Sequence, residues 1–235
     1  MKKITKRIKV SEALFDKAKA YNLKEAVAIL KKTPKLKFDE TVEIAVKLNV
    51  DPKDAASASI RGTVSLPHGT GNKVRVAVFC KGEEERKAKD AGADFVGAED
   101  LIAKVQAGWS DFDVAVSTPD MMKDMAKLGK ILGPRGLMPN PKSGTVTLDT
   151  AKTVKEVKAG KIEFKMDKQA GIHAPLGKLS FTEDAICANA LTLIDAIMSS
   201  GSHGGGIKGQ HVKNLYISTT MGPGIKLDLA EFRKS

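Results

Sequence analysis

The strand-like segments of this chain change character twice, and this change constrains the fold more than any other feature. Residues 41–48 and 60–66 alternate apolar and polar side chains, and the alternation returns from residue 161, as is typical of strands with one buried face. Residues 74–79 instead form a nearly continuous apolar run, as expected of a strand buried on both faces of a parallel sheet. The pattern favours one domain inserted into another.

The middle of the chain repeats a strand followed by a helix. The three predicted pairs are 74–79 with 83–91, 94–96 with 99–106, and 113–116 with a helix from 118 to about 128. This order predicts a doubly wound parallel α/β module.

The two ends of the chain supply the second domain. Further helices are predicted at 11–20, 23–32, 150–158 and 182–199. We expect a discontinuous outer domain, residues 1–67 and 160–235, around an inserted domain at 68–159. A single continuous α/β domain is the alternative, and it agrees less well with the change of strand pattern at both junctions.

Charge points to a polyanionic partner. The formal net charge is +11 and the pI is about 9.5, and much of the basic excess lies in residues 1–67. Nucleic acid is the first candidate, and a solvated basic surface without a partner is the alternative. An aromatic content of 5% argues against a base-stacking platform, and so against single-strand recognition of that kind.

Several classes of protein are disfavoured. Cys80 and Cys187 lie in apolar runs and read as free buried thiols of a reducing compartment. No Cys-x-x-Cys pair or His/Cys cluster predicts a metal, and no apolar stretch approaches the roughly 20 residues of a membrane span. The basic residues 1–9 lack a following apolar segment, so we expect a cytoplasmic protein without a signal peptide or a membrane partner.

Catalytic patterns are also missing from the sequence. No Ser, Asp or Cys stands at a recognisable catalytic spacing from a histidine, and His173 is interpreted as a hydrogen-bonded structural residue. Phosphate-loop signatures are absent. We therefore expect a protein that is not an enzyme, with no catalytic residues, metal or cofactor.

A small, hydroxyl-rich turn at residues 218–224, with the sequence STTMGPG, is the first candidate for RNA binding. We expect such a turn to expose backbone N–H groups and the hydroxyls of Thr219 and Thr220, which suits close contact with a sugar-phosphate backbone. A tight Gly-Pro hairpin turn without a ligand is the alternative.

The second candidate is the segment 35–43, KLKFDETVE. Lys35 and Lys37 could meet phosphates, while Thr41 and Glu43 lie on the polar face of the strand and could reach sugar hydroxyls. In the alternative interpretation, Phe38 belongs to the core and the charges are a solvated face.

A third candidate is the long Gly/Pro-rich loop at 133–144, which carries Arg135 and Lys142. It is either a rigid surface loop or a loop that contacts an RNA backbone.

Taken together, these motifs resemble the universal L-one family of large-subunit ribosomal proteins, in its bacterial form. The resemblance rests on KFDETVE (37–43), GTVSLPHG (62–69), the loop at 133–144, IHAP (172–175) and TTMGP (219–223). These segments run in order through both expected domains and cover essentially the whole chain.

The resemblance implies a split βαβ, ferredoxin-like outer domain with an inserted Rossmann-like domain. It implies binding to the stalk of 23S ribosomal RNA, assistance in the release of exit-site transfer RNA, and repression of the protein's own operon through its messenger RNA. It also implies a protein that is monomeric off the ribosome.

Motifs and resemblance together define the predicted RNA surface. Its members are Lys37, Phe38, Thr41, Glu43, Lys168, Ser218, Thr219, Thr220, Met221 and Gly222, with Arg135 and Lys142 as secondary contacts. Two other functions remain open: a general nucleic-acid-binding protein, and an enzyme that binds a nucleotide at the carboxyl ends of the inserted strands.

Overall fold

The chain forms two units, each built around its own sheet. A computed structural model describes residues 5–50, 60–203 and 212–232. Contacts divide the chain into an outer unit, Met1–Gly71 with Ile162–Ser235, and an inserted unit, Asn72–Lys161. The outer sheet is antiparallel and the inserted sheet is parallel, which confirms the predicted mixture of α+β and α/β architecture.

The described elements, in chain order, are as follows. The helices are α1 (Lys6–Glu12), α2 (Leu23–Lys32), α3 (Glu83–Asp90), α4 (Glu99–Gln106), α5 (Met122–Met125), α6 (Gly129–Leu132), α7 (Thr150–Ala159) and α8 (Glu183–His203). The strands are β1 (Thr41–Leu48), β2 (Arg61–Ser65), β3 (Val76–Phe79), β4 (Phe95–Gly97), β5 (Val114–Ser117), β6 (Lys161–Lys165), β7 (Gly171–Lys178), β8 (Val212–Thr219) and β9 (Ile225–Lys226). Short 3-10 segments lie at Pro119–Met121, Ala126–Leu128, Pro141–Ser143 and Leu229–Phe232.

The outer sheet has the strand order β7-β1-β8-β9, and β2 pairs with β6 in a separate two-stranded sheet. One face of the four-stranded sheet is buried under α2 and α8, because the period-two alternation of β1 turns every second side chain toward these helices. The buried side chains of β1 are Val42, Ile44, Val46 and Leu48, and they share one apolar cluster with residues of both helices. The opposite face of the sheet carries the polar residues.

The first predicted helix is wrong in its position. The helix begins at Lys6 rather than at residue 11, and the Thr5 hydroxyl caps it by accepting a hydrogen bond from Ile8 N. It ends at Glu12, and the chain then turns around Asp16. The Asp16 carboxylate accepts from Ala18 N, and Asp16 N donates to the Tyr21 hydroxyl. Side chains that bond to nearby backbone in this way compete with helix formation.

The inserted unit is a three-stranded parallel sheet with the order β4-β3-β5. All four residues of β3 are fully buried, because apolar side chains cover both faces of the sheet. One face packs on α4 and the other on α3 and α7, as a doubly wound module requires. The helix predicted from residue 118 is instead divided into short α and 3-10 turns.

A buried asparagine ties the segment at residues 68–69 to the outer unit. Asn189 of α8 donates from Nδ2 to Leu176 O at 2.7 Å and to Gly69 O at 2.9 Å, and its Oδ1 accepts from His68 N at 3.0 Å. These bonds agree with the division of the chain by contacts, in which the outer unit extends to Gly71. Within the described ranges, no helix combines the length and the apolar character needed to cross a bilayer.

Candidate nucleic-acid interface

Two candidate segments from opposite ends of the chain meet at one corner of the outer sheet. Thr41 N donates to Thr220 Oγ1 at 3.0 Å, and the same hydroxyl lies 3.3 Å from Thr41 O, to which it donates. Thr220 N donates to Thr41 O at 3.0 Å. Two residue pairs further along the strands, Glu43 faces Ser218 in the β1–β8 register. The segment at 37–43 and the turn at 218–222 thus form one continuous surface.

The carboxylate of Glu40 holds this turn from below. Glu40 is 1% exposed, and its Oε2 accepts a hydrogen bond from Met221 N at 3.0 Å. Its Oε1 is buried and has no hydrogen-bond partner among the described residues. Arg7 of α1 donates to Met221 O, so that charged side chains fix both polar groups of the turn's backbone at this residue.

The backbone N–H groups of Thr220, Met221 and Gly222 are therefore not available to a ligand, although we predicted that the turn exposes such groups. Thr220 N is bound to Thr41 O, Met221 N to Glu40, and Gly222 N to Thr219 O at 3.0 Å. These internal bonds make the turn rigid. What it presents outward is side chains and backbone carbonyls.

The predicted exposure of the Thr219 hydroxyl is also wrong. Thr219 is 3% exposed, because it follows Leu215 and Ile217 on the buried face of β8. Its Oγ1 is buried without a hydrogen-bond partner among the described residues. Thr219 therefore shapes the turn from the inside, and only its neighbours Ser218 and Thr220 face outward.

Two apolar side chains stand out from this corner. Phe38 is 54% exposed and Met221 is 55% exposed, so the interpretation of Phe38 as a core residue is wrong. Lys37 is exposed beside Phe38. The segment is held by Asp39, whose carboxylate accepts from Ser180 N at 3.2 Å and from Ser180 Oγ at 2.7 Å.

Three residues of this corner were missed by the sequence prediction. Lys178 Nζ donates to Thr41 Oγ1 at 3.0 Å, which brings a cation to the surface. Glu40 could have been found, because it continues the buried alternation of Val42 and Ile44 backwards by one step. No sequence pattern marked Arg7 or Lys178 as part of the corner, since these residues reach it only in the folded chain.

Lys168 lies at the other end of the sheet. It is exposed in the turn between β6 and β7, where Asp167 Oδ1 accepts from Gly171 N at 2.7 Å and from Gln169 N at 2.8 Å. These backbone donors lower the pKa of the Asp167 carboxyl below its usual range. Gly171 pairs with Lys47, six residues along β1 from Thr41, or about 20 Å at the usual rise of a strand.

Arg135 and Lys142 belong to the inserted unit, and both are exposed. Arg135 donates to Ser110 Oγ. The loop is closed by Asn140, whose side chain accepts from Lys142 N at 2.9 Å and whose N donates to Thr145 Oγ1 at 2.8 Å. The loop thus has a defined backbone that presents two cations.

The carboxyl ends of the inserted strands do not suit a nucleotide. The first turn of α3 carries Glu83, Glu84 and Glu85, and that of α4 carries Glu99 and Asp100. Helix N-termini attract phosphate through their positive dipole ends, and carboxylates there oppose it. Among the described residues, no group of three His, Cys, Asp or Glu side chains is placed to hold a metal ion.

Comparison with known families agrees with this picture. The profile of the Ribosomal protein L1p/L10e family matches residues 30–223, a span that contains every predicted site residue and parts of both units. The predicted family is thereby confirmed, and it is a family of structural ribosomal proteins rather than enzymes. The chain belongs to the Ribosomal protein L1p/L10e family, and it is a ribosomal protein of the large subunit that binds ribosomal RNA.

Proposed function

We propose that the chain binds the stalk of 23S ribosomal RNA through the corner of the outer sheet described above. The proposed surface comprises Lys37, Phe38, Thr41, Glu43, Ser218, Thr220, Met221 and Gly222, with Arg7 and Lys178 as additional cations. The observation that carries this proposal is the set of hydrogen bonds between Thr41 and Thr220, which joins the two candidate segments in one rigid surface.

Recognition through this surface depends on shape, sugar and phosphate contacts. The major groove of A-form RNA is too narrow for side chains, so bases in paired regions are not read there. The Glu43 carboxylate is exposed and can accept a hydrogen bond from a ribose 2′-hydroxyl. Phe38 and Met221 supply exposed apolar area to this surface. Because the turn is already fixed by internal bonds, little conformational entropy is lost on binding.

Cations at the corner predict a moderate dependence on salt. If Arg7, Lys37 and Lys178 each neutralise one phosphate, log K against log salt has a slope of about −2 to −3. Lys168 at the far end of the sheet adds to this value when the RNA extends that far.

We also propose the finer roles that the family resemblance implies. The loop with Arg135 and Lys142 makes secondary RNA contacts, and the protein assists the release of exit-site transfer RNA. The same outer surface binds the messenger RNA of the protein's own operon and represses its translation. Off the ribosome, the protein is a cytoplasmic monomer.

The first test is binding of the purified chain to a transcript of the stalk region and to a scrambled RNA of equal length, across a salt series. Thr220→Val removes the exposed hydroxyl that pairs with Thr41 N, and loss of such a bond costs about 0.5–1.5 kcal/mol. Thr147→Val is the matched control, because the Thr147 hydroxyl also accepts a backbone N–H, from Asp149 at 3.1 Å, but in the inserted unit.

Selective binding by the wild type that Thr220→Val weakens and Thr147→Val leaves intact would support the proposal. Equal affinity for both RNAs, or for duplex DNA at matched salt, would favour a general nucleic-acid-binding protein. Repression is tested separately by in vitro translation of the operon messenger. Added stalk transcript should relieve it, because both RNAs would occupy one surface.

A further inference from the structure

The exposed face of the outer sheet carries one row of residues that no part of the proposed corner includes. In the register of the sheet, Ala45 pairs with His173 of β7 on one side and with Tyr216 of β8 on the other. Tyr216 pairs in turn with Lys226 of β9. Directly paired residues point to the same face, so these four side chains form a single row across all four strands.

Two aromatic rings flank a small residue in this row. His173 is exposed and Tyr216 is 37% exposed, although the sequence suggested a hydrogen-bonded structural role for His173. Their strands are two spacings apart, so their backbones are separated by about 10 Å. Between them Ala45 contributes only a methyl group. The row therefore contains a shallow depression with an aromatic side chain on either side.

The row lies between the two places where RNA contacts are proposed. On one side its neighbours are Glu43 and Ser218, which belong to the corner with the 218–222 turn. On the other side, Lys47 pairs with Gly171 and its Nζ donates to Gln169 O in the turn that carries Lys168. An RNA that reaches both the corner and Lys168 has to cross the row.

The charges around the row suit a polyanion. Lys47, Lys178 and Lys226 surround the face, against the carboxylates of Glu43 and Asp167. A base has an apolar, polarisable face and a negatively charged phosphate. The Tyr216 ring can stack on the base, and its cross-strand neighbour Lys226 can neutralise the phosphate.

We propose that this row is a stacking subsite for one unpaired nucleotide of the bound RNA. The base lies on Tyr216 over Ala45, with His173 at its far edge, and its phosphate is neutralised by Lys226. The subsite rests on the proposed function, because the corner must bring the RNA to the sheet. The low content of Phe, Trp and Tyr does not exclude stacking here, since one exposed ring, that of Tyr216, is enough to stack a single base.

The test compares variants of the row on two RNAs, the stalk transcript and a fully paired duplex of equal length. Tyr216→Leu removes the ring, Tyr216→Phe retains it, and Ala45→Leu fills the depression. Leu191→Ala is the control, because Leu191 is a similarly exposed apolar residue on α8, 46% exposed. Thermal unfolding of each variant establishes that it is folded.

Stacking of one base contributes about 1–3 kcal/mol, so Tyr216→Leu and Ala45→Leu should weaken binding to the stalk transcript by about 5- to 150-fold. Tyr216→Phe and Leu191→Ala should stay within about twofold of the wild type. Binding to the paired duplex, which has no unpaired base to stack, should not distinguish the variants. In the wild type, a stalk transcript with 5-bromouridine at its unpaired uridines should crosslink to the peptide that contains Tyr216 or to the one that contains His173.

Selective wild-type binding that Tyr216→Leu and Ala45→Leu leave unchanged would overturn the subsite while leaving the proposed function intact. A wild-type chain that does not distinguish the stalk transcript from scrambled RNA would overturn the proposed function itself. The two failures are therefore separated in one experiment.

Discussion

Thr219 points its hydroxyl at the position where Gly222 would carry a Cβ, so that the buried end of β8 and the exposed turn are in direct contact. The close approach explains why a residue without a side chain stands at 222. It also makes the shape of the exposed turn, part of the proposed RNA surface, depend on the buried residue Thr219.

Gly222→Ala should therefore distort the turn. The added methyl would collide with Thr219 Oγ1, and we expect a loss of about 1–3 kcal/mol in the free energy of unfolding, as for other overpacked sites. Affinity for the stalk transcript should fall at least fivefold. Both are measured with urea unfolding and RNA titration.

Two further variants make this prediction specific. Thr219→Ala combined with Gly222→Ala should recover at least half of the loss, because it removes the atom that collides. Gly224→Ala should have no effect, since a Cβ at that position meets no atom within 4 Å. A double variant no better than Gly222→Ala alone would show that the contact is not the cause.

Thr219→Val should stabilise the protein. The hydroxyl is buried without a partner among the described residues, and an unsatisfied buried polar group costs about 1–3 kcal/mol. Replacement by a methyl of similar size should raise the free energy of unfolding by about 1 kcal/mol and leave RNA affinity within about twofold.

Thr33→Val is the contrasting control. Thr33 is equally buried, but its hydroxyl donates to Leu30 O at 2.6 Å, so loss of this hydroxyl should lower the free energy of unfolding. Weaker RNA binding by Thr219→Val would show that the Thr219 hydroxyl contributes to RNA binding, contrary to this prediction.

Glu40→Ala should loosen the turn without touching the RNA. It removes the acceptor of Met221 N and leaves that N–H without its partner, at a cost of about 1–3 kcal/mol. Hydrogen exchange at the Met221 amide should become faster, and RNA should dissociate faster. Glu163→Ala, at an exposed position of β6, controls for the loss of a negative charge. Unchanged exchange at Met221 would show that Glu40 does not hold the turn.

Regular periodicity made much of the fold predictable from the sequence. The alternation of β1 follows from burial of one face of the strand, and the fully apolar sequence of β3 follows from burial of both faces. The side-chain pattern alone therefore indicates how many faces of each strand are buried. The alternation of β1, continued one step before Val42, would have placed Glu40 on the buried side, and the alternation of β8, continued one step beyond Ile217, would have placed Thr219 there.

Contacts between distant parts of the chain could not be predicted in this way. Arg7 reaches Met221 across more than 200 residues, and Lys178 reaches Thr41 through a register that includes a bulge between Val42 and Glu43. The row with Ala45 and Tyr216 was hidden for the same reason. The number of aromatic residues can be counted in the sequence, but whether one of them can stack a base depends on its neighbours in the folded sheet.

Asn189→Leu should destabilise the outer unit strongly while leaving its RNA surface in place. Asn189 is fully buried, and its amide makes three hydrogen bonds, to Leu176 O, Gly69 O and His68 N. Leucine satisfies none of these backbone groups, so we expect the free energy of unfolding to fall by about 3 kcal/mol or more. Below the unfolding transition, affinity for the stalk transcript should remain within about twofold, because Asn189 lies on α8, on the side of the sheet opposite the proposed RNA surface. Asn22→Ala is the control, since Asn22 occupies the N-cap of α2 but its side chain makes no capping hydrogen bond, and its loss should cost less than the roughly 1 kcal/mol typical of an N-cap. Equal, small losses for both variants would mean that the three hydrogen bonds of Asn189 contribute little to the stability of the outer unit.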